Sequence, residues 1–325
     1  MAHQTHHITH SHSNTHLRWD KTLAPVLTVS SGDEITLDLP DGGGNQFDAH
    51  STSESISTFD VSKADPAVGP VFVKDAQPGD VLKVEFLSLQ PAAYGWTAIL
   101  PGSMNFGLLS DEFHEQRLKI WDLETHAKDG YAVFKEGIHI PIRPFLGVVG
   151  IAREEAGEWS TIPPYDTGGN IDCKYIVEGS CLYLSVKVEG ALFSCGDGHA
   201  AQGDGEVCGT AIETQMKAKM RLSVEKNKPW VKSPHYETSG VKAKVWDSKG
   251  EYAVLGIDAD LREASRKAIR GMIEWLSGEK GLTREEGYML ASVAGDMKIV
   301  EAVDMPHYAV ACSMPLNIFV GSIGK

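Results

Sequence analysis

Residues 182–189 read Leu-Tyr-Leu-Ser-Val-Lys-Val-Glu, which is the clearest strand pattern in the sequence. Apolar or β-branched side chains occupy every second position, and other residues stand between them. A period of two residues places one set of side chains on a buried face of a β-sheet. We expect the strand to continue to Phe193 and to lead directly into a segment rich in glycine and acidic residues.

Two further alternating patterns predict β-hairpins in the first ninety residues. In the first, a Ser-Ser-Gly-Asp turn separates residues 26–29 from residues 35–39. In the second, a Gln-Pro-Gly-Asp turn separates residues 71–73 from residues 81–89. Glycine, proline, aspartate and serine favour tight chain reversals, so we expect each pair of strands to fold back on itself.

Helical spacing is confined to the C-terminal third. Apolar residues recur three and four positions apart after the capping candidates Asp258 and Asp260, which predicts an amphipathic helix over about 259–277. Thr283 followed by Glu286 matches a capping box and predicts a second helix that ends near Gly295. A last apolar strand is expected from residue 308.

These patterns predict a mainly β fold, β-sandwich-like with a second β subdomain, and a small C-terminal α+β portion. The N-terminus contains six histidines among Thr, Ser, Asn and Gln, a composition that cannot build a core. We therefore divide the chain into a disordered His-rich tail at 1–16, an N-terminal β subdomain at 17–165, a central β subdomain with the active-site motif at 166–245, and a C-terminal α/β subdomain at 246–325.

The composition is that of a globular protein, with 42% hydrophobic and 23% charged residues. A net charge of −14 disfavours nucleic-acid and membrane partners, because phosphate groups and anionic lipids are repelled. Five cysteines without paired spacing indicate a reducing compartment. No apolar run approaches the roughly 18–20 residues that span a bilayer, so we expect a cytoplasmic protein.

The segment after the long strand combines glycines, carboxylates and one imidazole. Glycines allow the backbone to approach a small ligand, and the acidic side chains and imidazole can bind a cation or transfer protons. We predict a metal held by His199 with Asp197 or Asp204, and proton transfer by Glu206 or Glu213. The spacing matches no standard zinc signature, and a structural calcium loop remains an alternative.

A series of short motifs carries a resemblance to a known family. Gly-Gly-Asn-Ile-Asp stands at 168–172, Gly-Ala-Leu-Phe-Ser at 190–194, Gly-Asp-Gly-His-Ala at 196–200, Gln-Gly-Asp-Gly-Glu at 202–206 and Gly-Thr-Ala-Ile-Glu at 209–213. With Gly-Pro-Val-Phe-Val at 69–73 and Gln-Pro-Gly-Asp-Val-Leu at 77–82, they closely resemble the acetamidase/formamidase family over nearly the whole chain from about residue 15.

The resemblance implies a largely β fold and hydrolysis of a short-chain linear amide, acetamide or formamide, to the carboxylate and ammonia. It also implies a cytoplasmic homodimer or larger homo-oligomer. We expect a divalent metal, zinc in the first place and calcium as the alternative, to activate the attacking water. The candidate catalytic residues are Glu206, Glu213 and Asp197; the candidate metal ligands are His199, Asp172, Asp204, His50 and Asp48; the candidate substrate-binding residues are Gly196, Gly198, Asn170 and Trp96.

Several alternatives stay open at this point. His50 and Asp48 are equally compatible with a surface position in a Ser/Thr-rich loop. Trp96 can form a wall for the substrate, but core packing is the simpler interpretation. Cys195 precedes the motif and permits a rival mechanism, in which a thiolate attacks the amide carbonyl, but a small buried strand residue is the simpler interpretation. A calcium-binding β-sandwich that binds a ligand without catalysis is the competing class.

Overall fold

A computed structural model describes residues 4–101, 106–238, 250–301 and 306–320. It contains 39% strand and 16% helix, so the prediction of a mainly β protein with a small C-terminal helical portion is confirmed. The subdomain boundary predicted at 245/246 lies outside the described residues.

The elements are numbered in chain order within the described residues. The N-terminal strands are β1 (Thr5–Ile8), β2 (Thr15–His16), β3 (Arg18–Trp19), β4 (Leu27–Val29), β5 (Glu34–Leu39), β6 (Ala67–Val73), β7 (Val81–Pro91), β8 (Tyr94–Ile99) and β9 (Arg117–Asp122). The next strands are β10 (Tyr131–Lys135), β11 (Ile138–Pro141), β12 (Phe145–Gly150), β13 (Trp159–Ser160), β14 (Pro164–Tyr165), β15 (Gly168–Asn170), β16 (Cys181–Ser185), β17 (Phe193–His199), β18 (Met216–Glu225) and β19 (His235–Glu237). The C-terminal elements are β20 (Glu251–Asp258), α1 (Leu261–Lys280), α2 (Arg284–Ala294), β21 (Asp296–Glu301) and β22 (Tyr308–Pro315). Short 3-10 segments lie at His12–Asn14, Ser53–Thr58, Val61–Lys63 and Leu316–Ile318.

Two sheets form the sandwich in the described part of the chain. The first sheet has the order β1-β5-β18-β7-β16-β19, and the second has the order β14-β15-β12-β17-β6-β2, with β4 paired in parallel to β6. Side chains from both sheets, such as Leu37 of β5 and Val149 of β12, share one buried core. Burial of one such side chain contributes about 1.5–3 kcal/mol, so this core holds the two sheets together.

The predicted N-terminal strands exist, but neither predicted hairpin forms. β4 and β5 belong to different sheets, as do β6 and β7, so each turn carries the chain from one sheet to the other. The carboxylate of Asp33 stabilises the first turn by accepting hydrogen bonds from the backbone N–H groups of Ser30 and Gln4 at 2.8 and 2.9 Å. Alternation of apolar and polar residues shows that one face of a strand is buried. The same pattern is expected whether the turn joins two strands of one sheet, as in a hairpin, or carries the chain from one sheet to the other, as in an arch.

The stretch 182–193 is likewise two strands and not one. β16 belongs to the first sheet and β17 to the second, and the chain crosses the sandwich between them. At the crossing, Gly190, Ala191 and Leu192 have φ angles of 74°, 58° and 57°. These left-handed backbone angles end the alternation and place β17 between β12 and β6.

The N-terminal histidine-rich segment is ordered from residue 4, so the prediction of a disordered tail at 1–16 was wrong for the part described. β1 pairs in parallel with β5, and β2 pairs antiparallel with β6. Ile8 joins the sandwich core, and His16 Nε2 lies 2.8 Å from Ser194 Oγ. The composition excludes an independent core, but a polar segment can still add a strand to the edge of an existing sheet, where its backbone hydrogen bonds are satisfied.

The C-terminal helices form as predicted. Asp260 caps α1 by accepting a hydrogen bond from the backbone N–H of Glu263, and Gly281 ends the helix with a φ of 64°. Thr283 and Glu286 form the capping box of α2. Among the described residues, no helix is long and apolar enough to cross a membrane.

Helix α2 forms hydrogen bonds with the segment of the chain that follows β17. The Tyr288 hydroxyl donates a hydrogen bond to the Val207 carbonyl at 2.6 Å, and the Ser292 carbonyl accepts one from the Gly203 backbone N–H at 2.8 Å.

The proposed boundary at 165/166 stays a prediction, and both sheets contain strands from either side of it.

Candidate active site

The C-terminal end of β17 carries two side chains of the candidate site. His199 Nε2 lies 3.1 Å from Asp197 Oδ1, and both residues are almost completely buried. Glu213 comes from a later segment of the chain, and its backbone forms one isolated antiparallel β-bridge with Trp96 and another with His199. Its Oε2 atom also lies 3.1 Å from His199 Nε2. Two carboxylates therefore face one imidazole nitrogen.

Several acidic residues of the site have a left-handed backbone. The φ angles of Asp65, Asp172, Asp197 and Glu206 are 53°, 43°, 56° and 41°. A residue with a Cβ enters this region at a cost of the order of 1–3 kcal/mol, and such strain clusters at functional sites. Here the unusual backbone directs four carboxylates from three segments toward one place.

A cavity of about 130 Å³ opens over this cluster. Its polar lining includes Asp65, Asn170, Asp197, His199, Glu206, Thr210 and Glu213, and its apolar lining includes Phe59, Ala64, Trp96, Leu100, Phe106 and Ile162. None of the described residues that line it is a lysine or an arginine. The cavity thus combines a strongly acidic floor with an apolar wall.

Burial and mutual repulsion shape the charges of the cluster. Burial by itself lowers the pKa of the His199 imidazole, but the carboxylates of Asp197 and Glu213 raise it, and the net result lies well above the ordinary value. Burial raises the pKa of the Asp172 and Asp197 carboxyl groups, against the opposing charge of His199. Carboxylates outnumber cations here, so the site favours either bound protons or a bound cation.

Three buried oxygens of the site have no hydrogen-bond partner among the described residues. They are Oδ1 of Asn170, Oδ1 of Asp172 and Oε2 of Glu213. A single proton on His199 Nε2 can be donated to Asp197 or to Glu213 but not to both, which explains the unpartnered Glu213 oxygen. Each unsatisfied buried polar atom costs about 1–3 kcal/mol, whereas one cation can contact several oxygens at once.

Gly147 of β12 lies directly beneath two of the carboxylates. A Cβ atom at this position would lie 2.1 Å from Asp197 Oδ2 and 2.5 Å from Asp172 Oδ1. Only glycine therefore allows these carboxylates to converge over the strand.

The donor atoms of the cluster fit a divalent cation. Two overlapping groups have ligand atoms within 4.8 Å of one another; they are Asp172, Asp197 and His199, and His199, Glu206 and Glu213. Imidazole with carboxylates is a donor set that zinc accepts, and the unpartnered oxygens are free to bind a cation.

The structure brings together most of the residues that the sequence singled out. Asp172, Asp197, His199, Glu206 and Glu213 form the cluster. Asn170 and Trp96 line the cavity above it, as predicted substrate-binding residues would.

Other candidates lie elsewhere. Asp48 and His50 are exposed in a turn in which Asp48 Oδ1 accepts a hydrogen bond from the His50 backbone N–H at 2.9 Å. Asp204 Oδ2 accepts a hydrogen bond from the Tyr175 hydroxyl at 2.6 Å and lies 3.4 Å from Lys174 Nζ. None of the three belongs to the groups of convergent ligand atoms in the described chain. Their roles as metal ligands have no geometric support.

Gly196 and Gly198 are buried within β17 and are not among the residues that line the cavity. Their role in substrate binding stays a prediction.

Sequence reasoning missed Asp65, Asp41 and Gln202. Asp65 lines the cavity, and burial together with the charge of Asp197 raises its carboxyl pKa well above the usual value. Burial raises the pKa of the nearby Asp41 to about 6. Gln202 Oε1 lies 2.8 Å from His199 Nδ1. The signals were an aspartate before a run of three glycines, an aspartate before Pro66, and a glutamine three residues after the histidine, all of which also occur in ordinary loops.

Cys195 points into the sandwich core instead of the cavity. Its side chain is completely buried among apolar residues, and burial raises the pKa of the thiol far above its usual range. A thiolate is strongly disfavoured in such surroundings, so this geometry argues against the thiolate mechanism.

Strained acidic residues with shifted pKa values around a small cavity are typical of an enzyme active site. The sequence profile of the Acetamidase/Formamidase family matches residues 2–156 and 153–320. The chain therefore belongs to the acetamidase/formamidase family, and the prediction of an amide hydrolase is confirmed.

Comparison with individual proteins agrees with this assignment. A formamidase from Methylophilus methylotrophus is 24% identical over 94% of this chain and 89% of its own length. The solved structure of a predicted acetamidase/formamidase from Thermoanaerobacter tengcongensis is 30% identical, with a TM-score of 0.67 over 97% of this chain and 96% of that one. A gamma lactamase from Delftia acidovorans has a TM-score of 0.86 over 96% of this chain and 91% of its own, and at 23% identity this likeness shows the shared fold alone.

Proposed function

We propose that this chain hydrolyses a small linear amide, of the size of formamide or acetamide, to the carboxylate and ammonia. The observation that carries the proposal is the convergence of Asp197, His199 and Glu213 beneath a small cavity with an apolar wall. In the reaction, water adds to the carbonyl carbon, the C–N bond breaks, and the nitrogen leaves with the proton that it takes up.

The size of the cavity supports a short substrate. An apolar cavity of about 150 Å³ can bind a molecule of the size of benzene, so a volume of about 130 Å³ suits a ligand of similar or smaller size. Phe59, Leu100 and Phe106 provide an apolar surface for an acyl group, and the acidic floor provides acceptors for amide hydrogens. One methyl group changes the free energy of binding by only about 1–3 kcal/mol, so such a wall permits overlapping activity on neighbouring amides.

We further propose that Asp172, Asp197 and His199 hold a divalent cation. Zinc suits the imidazole, while calcium prefers a set made of oxygens alone and is the second choice. A cation bound there would acidify a water molecule and polarise the substrate carbonyl.

Glu213 is placed to move protons. Its Oε1 atom accepts a hydrogen bond from the Ala211 backbone N–H at 2.8 Å, which leaves Oε2 directed at the site. A carboxylate held in this way can take a proton from the attacking water and deliver it to the leaving nitrogen. Glu206 Oε1, 4.0 Å from His199 Nε2, is the alternative proton carrier.

The cytoplasmic location, the homodimer or larger homo-oligomer and the identity of the metal are parts of the same proposal. The non-catalytic calcium-binding module is disfavoured by membership of an amidase family.

Ammonia release from formamide, acetamide and propionamide tests the proposal. We expect the purified chain, without an added tag and supplied with zinc, to release ammonia from at least one of the three amides. The exposed Asp48→Asn variant should match the wild type because Asp48 lies outside the cluster. No ammonia from any of these amides, with either zinc or calcium present, would refute the proposed function.

A further inference from the structure

Gln202 connects two parts of the candidate metal site without lining the cavity above it. Its side chain is 7% exposed. Oε1 lies 2.8 Å from His199 Nδ1, and Nε2 donates a hydrogen bond to the backbone carbonyl of Asp172 at 2.9 Å. One buried amide thus contacts a side chain at the end of β17 and the backbone of the segment after β15.

The Asp172 carbonyl determines which way the amide faces. A backbone carbonyl oxygen only accepts hydrogen bonds, so the amide must turn its NH₂ group toward it. The amide oxygen then faces His199 Nδ1, and that oxygen can only accept. The reversed orientation would place two oxygens face to face in a buried site, which is strongly unfavourable.

This orientation determines the tautomer of His199. Because Gln202 Oε1 is an acceptor, Nδ1 must carry a proton. In the neutral imidazole that would bind a cation, the proton that Nε2 can donate to Asp197 or Glu213 is absent, and Nε2 presents its lone pair. Nε2 is the atom that lies 3.1 Å from oxygens of both Asp197 and Glu213.

We propose that Gln202 is a positioning residue that holds His199 in the tautomer whose Nε2 faces a cation among the carboxylates. The inference rests on the metal-dependent form of the proposed function. Partners of this kind fix the ring orientation of a ligating histidine, and their loss typically weakens metal affinity about 10–100-fold.

Two variants test the hydrogen bonds of Gln202. Gln202→Glu keeps an acceptor for His199 Nδ1, and burial against the Asp172 carbonyl favours its protonated form, which can still donate to that carbonyl. Gln202→Met has nearly the same length and loses both bonds. A second cavity, of about 150 Å³, borders Gln202, so neither side chain needs to overpack the core.

The experiment is a chelator competition that measures Zn²⁺ affinity, with the Co²⁺ absorption spectrum as a check of the ligand set. We expect the glutamate variant to bind Zn²⁺ within a few-fold of wild type and the methionine variant to bind it about 10–100-fold more weakly. If the methionine variant does not fold, as judged by circular dichroism, Gln202→Ala replaces it and should show the same loss.

The outcomes distinguish this role from others. Equal losses in both variants would overturn the inference, as would wild-type affinity in both. A wild type that binds neither ion would overturn the inference and the metal-dependent mechanism together. Ammonia release measured on the same samples reports separately on amide hydrolysis, so the two proposals can fail independently.

Discussion

Oε2 of Glu213 lies 3.1 Å from Nε2 of His199 and has no hydrogen-bond partner among the described residues. The two residues meet because the segment at 213 forms an isolated antiparallel bridge with the end of β17. A buried oxygen so close to the imidazole, and yet unsatisfied, marks the place where a proton or a cation completes the site.

Replacing Glu213 by glutamine should abolish most of the amidase activity while the protein stays folded. The amide keeps the shape of the side chain but cannot take a proton, and general base catalysis contributes about 10²–10⁴-fold to a rate. The measurement is kcat/KM for acetamide or formamide. Wild-type turnover in both Glu213→Gln and His199→Ala would remove these residues from the mechanism.

Gly147→Ala should disrupt the candidate metal site. The added methyl group would lie 2.1 Å from Asp197 Oδ2 and 2.5 Å from Asp172 Oδ1, so the carboxylates must move apart. We expect the loss of most Zn²⁺ binding, measured by metal analysis after dialysis.

Gly278→Ala is the matched control for this substitution. Gly278 lies in α1, and a Cβ there would meet no atom within 4 Å. We expect this variant to bind metal like the wild type and to be more stable to urea by about 0.5–1 kcal/mol, because alanine favours a helix. Equal metal binding in both alanine variants would contradict the proposed ligand set.

Removal of metal should lower both activity and thermal stability. A cation that binds only the folded state stabilises it by RT ln(1 + [L]/Kd), about 2.7 kcal/mol at one hundred times Kd. We expect a chelator to lower Tm, zinc to restore it in the wild type, and zinc to have little effect on Asp172→Asn. A chelated protein with unchanged Tm and unchanged ammonia release would rule out a metal-dependent mechanism.

His16 should make folding stability depend on pH. Burial lowers the pKa of its imidazole from 6.5 to about 4, against a weaker opposing effect of the Arg18 backbone. Between these values the unfolded chain binds a proton that the folded chain does not, so stability is complete above pH 6.5 and falls as the pH drops toward 4. The loss attributable to His16 is at most about 3 kcal/mol.

The difference between wild type and His16→Gln isolates this contribution. Urea unfolding at pH 7 and at pH 5 should show a smaller pH-dependent loss in the glutamine variant. The same loss in both proteins would mean that His16 does not anchor the N-terminal segment through its neutral form.

The helices illustrate what local sequence predicts well. Asp260, Thr283 and Glu286 act within one helical turn, and the caps that they form are those expected from the sequence. Such interactions involve neighbours along the chain, so no knowledge of distant contacts is needed to predict them.

The strands show where local reasoning ends. Alternation at 35–39 and 182–186 correctly indicated buried faces, as Leu37 and Leu184 are completely buried. It did not indicate to which sheet a strand belongs, because hairpins and arches bury the same side chains. The polar segment around His16 was misjudged for a related reason, since its order depends on the edges of sheets formed by residues far away in sequence.

The residues of the candidate site also fall into those that the sequence could identify and those that it could not. Asp172, His199 and Glu213 were singled out because they belong to the motifs that resemble the acetamidase/formamidase family, since carboxylates in a glycine-rich segment also occur in ordinary turns. Asp65 and Gln202 were not, since an aspartate before proline and a loop glutamine carry no chemical signal of their own.

The sequence by itself determined the strand and helix periods, the caps and the acidic motif, because these depend on side chains within a few positions of one another. Only the tertiary structure decided which strands share a sheet, which carboxylates converge over Gly147, and that Asp204 and His50 lie apart from them. The physical reason is that convergence depends on packing between distant segments, which brings a side chain into the site or leaves it outside.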